Sequence, residues 1–75
     1  MLPETARTII NLYNDDANPP RFCIAMTGGH TVTNYASWHH AWNVVLIEGE
    51  GDDIREHIAP EHIVSIKPIY DDKGA

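Results

Sequence analysis

Apolar residues recur at helical spacing at the start of the chain and then switch to alternate positions. Leu2, Ala6, Ile9 and Tyr13 fall on one stripe, with Ile10 and Leu12 beside it, so Leu2 to Tyr13 reads as an amphipathic helix. Pro3 suits the first helical turn, where a missing N–H costs nothing, and Glu4 suits the positive end of the helix dipole. Asn14 to Pro20 then stops the helix, since turn formers and two prolines cannot continue it.

From Arg21 the period becomes two. Phe22, Ile24 and Met26 alternate with Cys23, Ala25 and Thr27, which predicts a strand, and Gly28-Gly29 predicts a tight hairpin back into a second strand, His30 to Ala36. Trp38 to Trp42 reads as a turn or a bulged bend. Asn43 to Glu48 is the most apolar strand, and Gly49 to Asp53 an acidic turn. Ile54 to Ile58 makes a further strand, Ala59 to His62 a corner with Pro60 at the start of one helical turn, and Ile63 to Ile69 the last strand. Ile63 and Ile66 need not share a face there, which allows a bulge. Asp71 to Ala75 reads as a polar, flexible tail. The expectation is mainly β: one N-terminal helix, then a small, five-stranded, strongly bent antiparallel sheet or barrel over residues 1–70.

This order resembles the Sm-like (LSm) family, which includes the bacterial Sm-like RNA chaperone. The likeness runs through Phe22-x-Ile24-x-Met26-x-Gly28-Gly29-His30-x-Val32-x-Asn34-x-Ala36, the bend from Trp38 to Trp42, and Val44 to Ile47. Ile54 to Ile58, leading to Ile63 to Ile66, stands where the family has its second motif. SH3-like barrels share much of this pattern. Asn34 replaces the family's usual glycine, His40 its usual acidic residue, and Arg55-Glu56-His57 its RNA-holding signature. The resemblance implies a non-enzymatic homo-oligomer, with a closed ring favoured, and a short RNA or nucleotide as partner. It places the site at the bend, with Trp38, His39, His40, Trp42 and Asn43, joined by Arg55 and His57 through barrel closure. In that site a tryptophan stacks on a base, Asn43 reads the base edge and Arg55 faces a phosphate.

Composition narrows these readings. A chain of 75 residues makes one domain with a thin core, so self-association is expected to add stability. The last strand, Ile63 to Ile69, and the central strand, Asn43 to Glu48, are the expected edges for pairing. Cys23 is the only cysteine, which rules out an internal disulfide, and its apolar neighbours point to a small buried hydrophobe. Eleven acidic residues against five lysines and arginines leave a net charge of −6. That charge opposes a strong non-specific grip on nucleic acid. RNA binding should therefore be weak and should tighten as imidazoles gain protons below about pH 6.5. It also keeps a competing reading open, a small acidic adaptor or inhibitor that binds protein.

Five histidines raise the question of metal, but no metal-binding spacing is present and no cofactor is called for. Surface histidines are the plainer reading. Trp38 and Trp42 serve equally as core caps, interface anchors or stacking platforms. No catalytic dyad is evident. The longest apolar run, Val44 to Ile47, is too short to span a bilayer, and the first residues lack a signal-peptide pattern, so cytoplasmic residence is expected.

Overall fold

The computed structural model describes residues 1–49 and 54–70, and of Ile54 and Arg55 only the backbone. The acidic turn at 50–53 and the tail at 71–75 lie outside the described residues. Helix α1 spans Pro3–Asn14. Six strands follow: β1 Arg21–Met26, β2 Thr31–Asn34, β3 Ala36–His39, β4 Val44–Glu48, β5 Ile54–Ile58 and β6 Ile63–Ile69. A single 3-10 turn, Pro60–His62, separates the last two, with Pro60 in its first turn as the sequence suggests. No helix among the described residues is long and apolar enough to cross a membrane.

The strands form two antiparallel three-stranded sheets, ordered β2-β1-β6 and β3-β4-β5, and neither closes into a barrel. This corrects the expectation of five strands in one bent sheet. The predicted second strand is broken at Tyr35, and its second half reaches into the predicted bend as far as His39. It also corrects the expected edges. β4 is flanked by β3 and β5 and has no free edge, whereas among the described residues β6 pairs only with β1.

The break has an identifiable cause. Tyr35 and Glu48 stand opposite each other, and the Glu48 N–H donates to the Tyr35 carbonyl at 3.0 Å. The reciprocal bond is missing. Instead the Tyr35 N–H donates to Asn34 Oδ1 at 2.8 Å, and Asn34 Nδ2 donates to the Glu48 carbonyl at 2.7 Å. One carboxamide thus replaces a direct backbone bond by a two-bond relay, holding the strands apart where β4 ends.

Between the sheets lies one core. Ala6, Ile10, Phe22, Ile24, Val45 and Ile47 expose no surface, and Ala36, Ile58 and Ile63 are nearly as buried. The helix contributes Ala6 and Ile10, with Tyr13 edge-on to Phe22 at 6.2 Å. Leu2 and Leu12 are exposed, so the buried stripe is narrower than the sequence suggests. At its C-terminal end Asn14 Nδ2 donates to the Ala36 carbonyl at 2.7 Å, tying the helix to β3.

The β1–β2 hairpin turns through Gly28 and Gly29, both at positive φ (89° and 86°), a region that L side chains avoid. In β6 the register slips: Ala25 faces Ser65 but Met26 faces Ile63. Val64 is therefore the extra residue of a bulge and is exposed, which is how Ile63 and Ile66 both reach the core.

Asn34→Ala should cost about 1 kcal/mol in urea unfolding, the usual net worth of solvent-exposed hydrogen bonds. Asn34→Asp should cost at least as much at pH 7, because a carboxylate then meets the Glu48 carbonyl oxygen.

Candidate functional site

The predicted site residues divide between two faces of the β3-β4-β5 sheet. Ala36 and Trp38 face the core, so by alternation Ser37 and His39 face away from it. Ladder pairing sets Ser37, Leu46 and His57 side by side on that outer face. Leu46 is buried there without belonging to the core cluster.

Trp42 sits on the β3–β4 turn. Its ring stacks on His39, with centroids 4.5 Å apart and planes at 26°, and lies 5.7 Å from His57. His40 stacks at 6.2 Å from His39 in turn. The Trp42 backbone N–H donates to His39 Nδ1 at 3.2 Å. Asn43 then closes the turn at φ 54°, a left-handed conformation that asparagine tolerates better than most residues. Trp42 remains 65 % exposed. Three imidazoles and an indole therefore form one ordered, largely solvent-facing aromatic group.

Trp38 is not part of it. Its ring packs against the core, and Nε1 is buried without a hydrogen-bond partner. With Asn43 it lines a shallow hollow of about 260 Å³ beside Pro3, Glu4 and Arg7 at the start of α1. His57 reaches the cluster through the β4–β5 ladder, where it faces Leu46, and not through barrel closure. The Arg55 side chain lies outside the described residues.

A larger cavity, about 560 Å³, opens between the β1–β2 hairpin, β5 and the 3-10 turn. Met26, Val32 and Ile58 line it with His30, His57 and His62, and Glu56 stands at its wall. Sequence reasoning missed this cleft because its walls come from segments about thirty residues apart that no local pattern links. His57 borders both the cleft and the aromatic cluster. Among the described residues no three His, Cys, Asp or Glu side chains converge to hold a metal ion. Comparison with known protein families, curated proteins and solved structures yields no match.

The two tryptophans should separate cleanly on substitution. Trp38→Ala should cost about 3 kcal/mol of stability, because it empties space beside the core. Trp42→Ala should stay within about 0.5 kcal/mol, as for exposed positions. Urea unfolding of both variants measures this.

Proposed function

We propose that the protein is a non-enzymatic, self-associating binding module of Sm-like or SH3-like kind, whose Trp42 cluster stacks on the base of a short RNA or nucleotide. One observation carries the reading: a tryptophan that is 65 % exposed, yet fixed by a stacked imidazole and a backbone hydrogen bond. An exposed indole gains nothing from the core, and holding it in place is useful to a partner that needs a flat surface. Every base offers such a face, and base–aromatic stacking contributes roughly 1–3 kcal/mol. His40 and His57 would supply hydrogen-bonding groups beside the stacked ring.

The strand neighbours also support the Sm-like reading. With β2 and β3 counted as one strand bent at Tyr35, the order is β6-β1-β2/β3-β4-β5 behind an N-terminal helix. The outer edge of β6 and the exposed Val64 on it support self-association through that strand. The competing reading, an acidic adaptor or inhibitor that binds protein, draws on the net charge of −6.

Titration of short oligoribonucleotides at pH 6 and pH 8 decides between them. Wild type should bind weakly, on the order of micromolar or worse, and more tightly at pH 6. Trp42→Ala should lose at least about fivefold in affinity. Absence of binding at both pH values, with the protein folded, sinks the nucleic-acid reading. In light scattering wild type should exceed the monomer mass, and Val64→Glu should reduce it. Ile66 is unsuitable for that test, since it packs against the core.

A further inference from the structure

The β1–β2 ladder leaves a second surface open. The Met26 N–H bonds the His30 carbonyl at 2.8 Å, so Met26 and His30 form a hydrogen-bonded pair. In an antiparallel ladder such pairs alternate. The next are therefore Ile24 with Val32 and Phe22 with Asn34. Thr31 and Thr33 point their backbone groups the other way, on the side where Tyr35 meets β4. That side has a partner only as far as the Asn34 relay, because β4 ends at Glu48. No partner for the N–H and C=O groups of Thr31 and Thr33 lies among the described residues.

We propose that the β2 edge is a docking site for an extended, basic polypeptide segment, which adds as a strand beside Thr31–Asn34 and continues the ladder that β4 leaves. Two spaced N–H and two C=O groups in a row match another extended backbone better than any other ligand. The cleft of about 560 Å³ runs along this edge, since Thr31 and Val32 line it opposite Glu56 and Ile58. Alternate side chains of an added strand would meet Val32 on the core side, with Met26 and Ile58 beyond it, which favours apolar residues there.

Charge sets the rest of the sequence. Among the described residues that line the cleft, Glu56 is the one carboxylate and there is no lysine or arginine. The whole protein carries −6, so it attracts a cationic segment and disfavours an acidic one. The edge is separate from Trp42, and the inference stands whether or not that ring binds RNA.

Amide exchange at pH 7.5 tests it, with two blocked pentapeptides as probes, one alternating valine and lysine, the other valine and glutamate. The valine–lysine peptide should slow exchange at Thr31 and Thr33 at least fivefold and leave Val32 unchanged, because that amide already bonds β1. The valine–glutamate peptide should do neither. Thr33→Pro removes one edge N–H without touching the β1 ladder and should abolish the effect, while Thr33→Ala should keep it. If Thr33→Pro unfolds, the wild-type exchange pattern decides alone. The proposal is overturned if the lysine peptide gives no protection or perturbs Trp42 instead. It is equally overturned if both peptides act alike, or if protection rises with protein concentration before any peptide is added, which would make a second copy the occupant.

Discussion

Two short sheets and one helix have to share a single core. Each sheet has three strands and turns apolar residues toward the same core. Phe22 and Ile24 from one sheet, Val45 and Ile47 from the other, and Ala6 and Ile10 from α1 meet with no exposed surface. The other features follow from that shared burial. The helix cannot leave without exposing both sheets, and Asn14 fixes its far end to β3. Nothing polar is buried among the described residues except the Trp38 indole N–H. The core therefore gains its stability from packing and apolar burial, with no internal polar network to direct it.

The Asn34 relay turns that arrangement into two sheets with an edge between them. A glycine there would have no carboxamide to insert, and the Tyr35 N–H would be free to bond the Glu48 carbonyl directly. With asparagine the strands part, β4 leaves the neighbourhood of β2, and a row of backbone groups beside the cleft has no partner among the described residues. One side chain with both a donor and an acceptor is enough, since it satisfies both backbone groups that it separates. A hydrophobic or charged residue could satisfy at most one of them.

The proposed binding surfaces sit on opposite sides of β5. Trp42 with His39 faces outward at the β3–β4 turn, and the cleft runs between β5 and the β1–β2 hairpin. His57 touches both. A protein of net charge −6 does not draw a polyanion from a distance, so the nucleic acid proposed for the aromatic face would be held at contact range by stacking. The same charge favours a cationic partner at the edge. One electrostatic fact thus weakens one surface and strengthens the other.

The sequence by itself determined the local elements. The change from helical to alternating period at Arg21 placed α1 and β1, Gly28-Gly29 placed the first hairpin, and Pro60 placed the 3-10 corner, because period and turn chemistry are properties of neighbouring residues. It also put the Trp38–Asn43 segment, Arg55 and His57 forward as candidates. Only the tertiary structure decided which of these residues work together. Trp38 and Trp42 are four residues apart and aromatic, yet one faces the core and the other solvent, since the turn after His39 breaks the strand's alternation between them. The split of the second strand, the lack of a free edge on β4 and the cleft at His30, His57 and His62 were equally out of reach. Each depends on which backbone groups find partners across the chain, and a hydrogen bond between Asn34 and Glu48 leaves no trace in the pattern around either residue.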